Sequence, residues 1–275
     1  MNHFRIYPAN LEWPTAADDL SAVSLEVTRL RLSTKAKSWE RLREFTRLKS
    51  LWCFGVDEKA LRAISNCTSL KELYLDYNLR TGDLECLHNL EQLELLTIDS
   101  CSKIDSLRQV SEFTKLEVLS IVNFKNVHNL EPLGSMTRLR ELAVSGSIWT
   151  RMKIDTLQPL SSLTNLEYLD LTNNKVADES LKPIARLQKL KALNIANFYP
   201  TREFAWLAGK LRSTSCDWFK PYLDVDLFSC TKCGRNSCVL LTGKGTSRLC
   251  KHCDEQRLTN HVSEFEAIKA QAVQD

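Results

Sequence analysis

Apolar residues recur along most of the chain in a short pattern of the form L-x-x-L-x-L. The first copy begins at Val27, and later copies begin at residues 48, 70, 93, 116, 139, 166 and 190. The intervals between them are 21, 22, 23, 23, 23, 27 and 24 residues. Alternating apolar and polar positions predict one short strand per copy, and the rest of each copy predicts a return loop or single-turn helix. One copy cannot bury its own leucines, so neighbouring copies must stack.

These repeats resemble the leucine-rich-repeat family, and in their short form the internalin-like type. The stretch LQPLSSLTNLEYLDLTNN, from Leu157 to Asn174, matches most closely, and Leu130–Leu133 leading to Leu139 repeats the pattern. The resemblance covers roughly residues 25–200. It implies an α/β-repeat fold, a right-handed solenoid of about eight repeats with a curved parallel sheet, and a shared trait of holding partners on a curved surface.

The family usually places an asparagine three residues after the last strand leucine, where its amide bonds neighbouring backbone. Asn78 and Asn174 fit this position, and Cys101 is an accepted substitute. Three turns break the pattern and are expected to be less regular, those at Phe124, Ser147 and Phe198. The 27-residue interval predicts an inserted loop around residues 147–152, in which we expect Trp149 to pack.

Residues between and just after the strand leucines face away from the core by strand alternation. In the N-terminal half these positions carry large aromatic side chains beside carboxylates, which are typical interface anchors. We therefore predict that another protein binds this concave face through Trp52, Phe54, Tyr74, Asp76, Thr97, Asp99, Ser120, Tyr168, Asp170 and Asn194. The alternative is that these side chains only coat the sheet and that an N-terminal cap covers Trp52 and Phe54.

Four cysteines near the C-terminus have metal-ligand spacing. Cys230 and Cys233 form one C-x-x-C pair, and Cys250 and Cys253 form a second pair. Two such pairs predict a structural zinc site with these four thiolates as ligands. Cys238, His252 and His261 are alternative ligands, and a reduced thiol cluster or redox pair is the alternative to a metal.

The surrounding residues predict a knuckle, then a hairpin around residues 243–245, then a helix with an apolar stripe at Leu258, Val262, Phe265 and Ile268. This order resembles a treble-clef zinc finger. The expected organisation is an N-terminal cap (1–24), leucine-rich repeats (25–200), a C-terminal cap and connector (201–227) and a small zinc-binding module (228–275).

Composition narrows the function classes. The 275 residues are 43% hydrophobic and 26% charged, and the formal net charge of +3 is too balanced for nucleic-acid or membrane binding by charge alone. No apolar run typical of a signal peptide or membrane span is present. Ten cysteines used as thiols and metal ligands fit a cytoplasmic protein.

The sequence therefore predicts a monomeric, non-enzymatic interaction scaffold. The alternative is nucleic-acid binding through the finger, whose five basic residues between the outer cysteines are Lys232, Arg235, Lys244, Arg248 and Lys251. Against it, residues 217–275 contain eight basic and eight acidic residues. Catalysis is disfavoured because the chain lacks the eight ligands of a RING finger, because Cys216 has no recognisable base, and because Asp76, Asp99 and Asp170 have no histidine or phosphate loop beside them.

Overall fold

A computed structural model describes residues 4–225 and 228–274. Residues 1–3, 226–227 and 275, which belong to the predicted cap, connector and zinc module, lie outside the described residues. In the described ranges the strands are β1 (Ala17–Asp19), β2 (Arg29–Lys37), β3 (Ser50–Phe54), β4 (Glu72–Asp76), β5 (Leu95–Asp99), β6 (Val118–Val122), β7 (Glu141–Ser145), β8 (Met152–Ile154), β9 (Tyr168–Leu171), β10 (Asn174–Val176), β11 (Ala192–Ile195), β12 (Tyr222–Asp224), β13 (Cys238–Leu241) and β14 (Arg248–Cys250).

The main sheet of the described chain contains nine of these strands, in the order β1-β2-β3-β4-β5-β6-β7-β9-β11. Every neighbouring pair is parallel. The register aligns one leucine from each repeat into a single column: Leu30, Leu51, Leu73, Leu96, Leu119, Leu142, Leu169 and Leu193. These leucines are all buried in one core cluster, which confirms the predicted solenoid.

The return segments between the strands contain short helices, and two longer helices, α3 and α4, follow the last repeat. The α-helices are α1 (Glu58–Ile64), α2 (Arg108–Ser111), α3 (Thr201–Lys210) and α4 (Glu255–Ala272). The 3₁₀ helices are Pro8–Asn10, Leu20–Ala22, Trp39–Glu44, Glu85–Asn89, Glu131–Ser135, Gln158–Ser162 and Lys182–Arg186. Pro132, Pro159 and Pro183 sit at the first turns of three of them, where the fixed φ of proline suits a helix start. In the described residues no helix has both the length and the apolar character needed to cross a membrane.

The turns after the strands follow the family pattern at some repeats and depart from it at others. Asn174 is buried and its amide nitrogen donates to the Val144 carbonyl, and the Cys101 thiol donates to the Thr81 carbonyl at 3.3 Å. The assignment of Asn78 was wrong, because its side chain is exposed and Leu79 is buried in its place. Asn78 has φ +68°, a left-handed conformation that asparagine tolerates better than most residues.

The inserted loop after β7 differs from expectation in one respect. Trp149 is 88% exposed and Ile148 is 81% exposed, so the expectation that Trp149 packs was wrong. The chain then returns through β8, which pairs in parallel with β10 and places Met152 and Ile154 in the core. The insertion thus projects its own apolar residues outward and rejoins the solenoid immediately afterwards.

The C-terminal module closes the far end of the solenoid. β12, β13 and β14 form an antiparallel sheet, so the predicted connector already enters the module at Tyr222. Asn197 bonds both the Leu241 carbonyl (2.9 Å) and the Gly243 amide (2.6 Å), and Thr201 donates to the Thr242 carbonyl at 2.9 Å. These contacts attach the hairpin to the last repeat.

Helix α4 returns from the module and packs on α3. The predicted apolar stripe does reach the core, because Phe265 is fully buried in the main cluster and Ile268 packs against it. The two helices meet closely at Gly209, where an added Cβ would lie 2.4 Å from the Lys269 carbonyl oxygen and 2.8 Å from the Ala272 Cβ. The open end of the repeat stack is therefore covered by two layers of helix, which a solenoid needs for solubility.

Replacing Gly209 with alanine tests this close approach. Alanine favours a helix by about 1 kcal/mol, but the clash with α4 backbone exceeds that gain, so we expect Gly209→Ala to lower the free energy of unfolding by about 1–3 kcal/mol. Gly134→Ala is the matched control, since its nearest contact would be 3.3 Å. Urea denaturation compares the variants, and equal stability of both would show that α3 and α4 are not in contact.

Candidate metal centre and concave face

The four predicted zinc ligands lie together in space. Among the described residues, Cys230, Cys233, Cys250 and Cys253 form a group whose sulfur atoms all lie within 4.8 Å of one another. The first pair comes from the knuckle before β13, and the second pair spans the end of β14 and the turn before α4. Gly234, with φ +70°, lets the knuckle turn back so that its amide donates to the Cys230 carbonyl at 2.8 Å.

The spacing of the sulfur atoms suits a tetrahedral metal ion. The Cys230 and Cys253 sulfurs are 3.9 Å apart, and the Cys233 and Cys250 sulfurs are 3.8 Å apart. Sulfurs bonded at about 2.3 Å to one tetrahedral ion are separated by about 3.8 Å. The donor set therefore fits a metal ion, and the sulfurs are too far apart for disulfide bonds.

Polar contacts around the cluster connect the two cysteine pairs. The Asp254 carboxylate accepts from the Cys250 amide at 3.0 Å and from the Lys232 ammonium at 2.9 Å, which ties the second pair to the first. These same contacts hold the pKa of Asp254 below its usual value. The Ser237 hydroxyl and the backbone amides of residues 252 and 253 lower the pKa of Cys250, whereas bonds from the neighbouring thiols, first that of Cys233, raise the pKa of Cys253.

The alternative ligands lie outside this group. His261 donates from Nε2 to the Pro221 carbonyl at 2.8 Å, and the His252 side chain is exposed. Cys238 is buried beside Cys230 and Cys250 but is not part of the four-sulfur group. The geometry thus favours the four predicted cysteines over these three.

Three of the basic residues predicted for nucleic-acid binding form ion pairs with acidic residues of the chain. Lys232 pairs with Asp254, Lys244 pairs with Glu179, and Lys251 pairs with Asp224. The Arg248 guanidinium lies 4.6 Å from the Phe228 ring centre. Three of the five predicted cations are therefore paired, which reduces the positive charge they would offer to a phosphate backbone.

The concave face of the main sheet is covered by the protein's own N-terminal segment. Residues 4–13, called the strap below, cross this face before the chain enters β1. They complete a second apolar cluster, separate from the core, in which Ile6 is buried against the outward side of the sheet. The sheet residues of this cluster are Trp52, Tyr74, Leu95, Val118, Ala143 and Tyr168, with Phe54 and Ala192 partly buried at its margin.

The strap begins over the C-terminal repeats. The Phe4 ring stacks on the Tyr168 ring with centres 4.0 Å apart. The Tyr7 hydroxyl donates to the Asp170 carboxylate at 2.7 Å and lies 2.7 Å from the Tyr168 hydroxyl. Burial, followed by the charge of Asp170, raises the pKa of Tyr7, so this hydroxyl stays protonated as a donor.

Two carboxylates at the N-terminal ends of β4 and β7 bind the middle of the strap. Glu72 accepts from the Arg5 guanidinium at 2.9 Å, and Glu141 accepts from the Ile6 amide at 3.1 Å. Burial raises the pKa of Glu141, although bonds from the strap backbone act in the opposite direction. The Tyr74 hydroxyl completes this set by donating to the Arg5 carbonyl at 3.4 Å.

The strap ends over the N-terminal repeats. The Trp13 ring packs against Trp52 and Tyr74, with ring centres 5.3 and 5.4 Å away. The Arg29 guanidinium lies 5.2 Å from the Trp13 ring centre, and it also donates to the Glu12 carbonyl at 2.8 Å. Trp52 in turn donates to the Asp76 carboxylate at 2.7 Å, while burial raises the pKa of Asp76.

Part of the repeat region is similar to a known family. The model of the leucine-rich-repeat family matches residues 162–185. The repeat region is a leucine-rich-repeat solenoid. Internalin C2 of Listeria monocytogenes is a similar solved structure, at 22% identity over 65% of this chain and 72% of its own, with a TM-score of 0.49. A second internalin of that organism has 21% identity over 69% of this chain and 66% of its own, with a TM-score of 0.46. The comparison with curated proteins found no match.

The predicted partner-binding residues of the concave face differ in their exposure to solvent. Asn194 is exposed, while Phe54, Asp76 and Asp99 are half-buried. The others are buried: Trp52, Tyr74, Thr97, Ser120, Tyr168 and Asp170. That these ten residues bind a partner stays a prediction.

The sequence left open an N-terminal cap over Trp52 and Phe54, and the end of the strap does pack there, through Trp13 on Trp52. The extension of the strap along the face to Tyr168 was not predicted. The repeats themselves indicate that the face is covered. Leu95 and Val118 stand at outward strand positions, where a solvated face would carry polar residues. Both are almost fully buried. The aromatic residues of the N-terminal segment are what cover this face.

Cys216 lies beside the open end of the concave face and is half-buried against the core. Burial raises its pKa to about 12, so the thiolate is scarcely populated at neutral pH. Together with Phe4, Tyr168, Asn194 and Trp218 it lines a cavity of about 280 Å³.

Removing the Tyr7 hydroxyl tests how the strap is held. Tyr7→Phe loses the bonds to Asp170 and Tyr168, each partly exposed to solvent, so we expect the strap to open five- to tenfold more often, equivalent to about 1–1.4 kcal/mol. Hydrogen exchange of residues 4–13, followed by mass spectrometry, measures this opening. Tyr77→Phe, at a residue 74% exposed in a turn, is the control. Unchanged exchange in Tyr7→Phe would mean that this hydroxyl does not hold the strap.

Proposed function

We propose that this protein is a non-enzymatic scaffold that binds a protein partner on the concave face of its solenoid. The observation that supports it most directly is the chemistry of that face, which presents aromatic rings and carboxylates on one rigid parallel sheet. Aromatic residues in such positions are the usual anchors of protein interfaces. The rigid leucine column beneath them keeps the spacing of these groups fixed. The face therefore loses little conformational entropy when a partner binds.

The part of the face that the strap leaves accessible offers a first contact. Asn194 is exposed, and its amide donates to the Asp170 carboxylate at 3.1 Å. The adjoining cavity, lined by Trp218 and Tyr168, is large enough to accept one side chain of a partner. Half-buried Asp99 lies further along the same face.

Crosslinking from the two sides of the solenoid tests this proposal. A photoreactive amino acid at Asn194 should crosslink a discrete protein of the native host, and the same group at Thr114 or Thr137, on exposed return segments, should not. Adding Asp99→Arg to the Asn194 probe should reduce capture at least tenfold, because it reverses a charge on the binding face. Equal capture from both sides, or capture from neither, would contradict concave-face binding.

We also propose that Cys230, Cys233, Cys250 and Cys253 hold one structural zinc ion in a treble-clef-like module. Four thiolates are the donor set that tetrahedral zinc prefers, and a closed set of four leaves no ligand position for catalysis. The module has only a small apolar cluster of its own, around Val239, Leu241 and Leu249. Zinc coordination supplies the folding free energy that so small a core lacks.

Metal analysis tests the zinc proposal. The purified chain should contain one zinc, and Cys233→Ser or Cys253→Ser should lose it together with the stability of the module. Cys86→Ser, in the repeat region, is the matched control, and Cys238→Ala should also keep its zinc because that thiol lies outside the group. Zinc well below one per chain, or equal loss in Cys238→Ala and Cys233→Ser, would overturn this ligand set.

A cytoplasmic location and a monomeric state complete the proposal. A four-thiol site needs its cysteines reduced, and a reducing compartment maintains that state. Both ends of the repeat stack are covered within one chain, by β1 on one side and by α3 and α4 on the other, which supports function as a single copy.

A further inference from the structure

The strap occupies the same residues that the proposed function assigns to a partner. Phe4 and Tyr7 engage Tyr168 and Asp170, and Trp13 engages Trp52 and Tyr74. The strap belongs to an apolar cluster separate from the leucine core. Its departure would therefore expose the concave face without opening the solenoid.

We infer that the strap is a resident intramolecular ligand of the concave face, and that the partner binds by displacing it with an extended segment of similar chemistry, with aromatic rings and a cation at the place of Arg5. This inference rests on the proposed function and adds to it the class of partner and the means by which access is controlled.

The acceptors of the face define the chemistry of the segment that fits. Glu72, Glu141 and Asp170 are all carboxylates, and in the strap they receive a guanidinium, a backbone amide and a tyrosine hydroxyl. A segment that brings donors and a cation to these three positions is stabilised, whereas an acidic segment is repelled. The flat Tyr168 ring accepts a second aromatic ring, as it accepts Phe4.

The strap leaves part of the face unsatisfied. The Thr97 hydroxyl is buried among the described residues without a hydrogen-bond partner. The Tyr7 ring remains 37% exposed despite its two hydrogen bonds. A partner that bonds Thr97 or covers this region more completely gains contacts that the strap does not make.

The tether makes the strap an effective competitor. Only residues 14–16 separate it from β1, which is fixed to β2 by the pairing of Ala17 with Leu32. A segment on so short a tether acts at an effective concentration of about millimolar, so a free peptide of equal intrinsic affinity binds the closed chain weakly. Weakening the strap should raise the affinity for the free peptide by removing this competition.

A labelled synthetic peptide of residues 4–16 provides the probe for the full-length chain. The test variant is Phe4→Ala/Tyr7→Ala/Trp13→Ala, which alters the strap and leaves the face unchanged. The matched control is Tyr77→Ala/Trp149→Ala, which removes two aromatic rings that are 74% and 88% exposed and are not among the strap contacts. A second peptide, with alanine in place of its three aromatic residues, controls for non-specific binding.

We expect the strap variant to bind the probe at least tenfold more tightly than the wild type or the control variant does, as measured by fluorescence anisotropy. The strap variant should not bind the alanine peptide. Hydrogen exchange provides a second readout on the wild type: saturating probe should speed exchange in the chain's own residues 4–13 by displacing them. Equal probe affinities for the three proteins, or no probe binding to a folded strap variant, would overturn the inference.

Crosslinking from Asn194 keeps the two proposals distinguishable. Stronger partner capture by the strap variant than by the wild type supports the displacement mechanism. Equal capture by both overturns it while the scaffold function stands. Tight probe binding together with absence of any captured protein supports the strap as a ligand and rejects the scaffold function alone.

Discussion

The inability of one repeat to bury its own leucines is the constraint on which this structure depends. Each repeat contributes a strand of four or five residues in most cases, and only parallel stacking in register brings Leu51, Leu73, Leu96 and their counterparts into one buried column. Parallel strands require a crossover between them, and the return helices supply it. The face opposite the leucine column is thereby left as a continuous surface. This surface is either in contact with water or covered by another segment.

Three contacts cover surfaces that the stack of repeats would otherwise leave exposed. The strand edge at β11 is continued by Ser215, whose carbonyl accepts from the Leu193 amide at 2.9 Å. Beyond it, α3 and α4 pack at Gly209 and bring the cysteine module against the last repeat. The concave face carries Leu95 and Val118 at its centre, and the strap shields them. Each of these contacts joins segments that belong to different repeats or lie outside the repeats.

The sequence was sufficient for features that repeat or that have fixed spacing. The interval of roughly two dozen residues predicts the strands and their register, and the two C-x-x-C pairs predict the sulfur cluster. Both signals are regular spacings, which can be recognised in the sequence without knowing any three-dimensional contact. Asn78 and Trp149 were misassigned because the repeat interval does not determine which side chain of a turn or an inserted loop points inward.

The strap could not be predicted from local patterns. Its hydrogen bonds from Arg5 to Glu72 and from Tyr7 to Asp170 join residues 67 and 163 positions apart. No periodicity marks the segment, and its aromatic residues are equally typical of a cap. Only the apolar character of Leu95 and Val118 indicated that the face was covered, and that clue has meaning once the direction of each strand residue is known.

The most direct test of this account is a nuclear Overhauser measurement between Phe4 and Tyr168 in a selectively labelled full-length chain. Ring centres 4.0 Å apart predict strong cross-peaks between the ring protons, together with ring-current shifts in both residues. Absence of these cross-peaks, with Phe4 resonances at the values of an unstructured peptide, would contradict the claim that the chain's own N-terminal segment occupies its concave face.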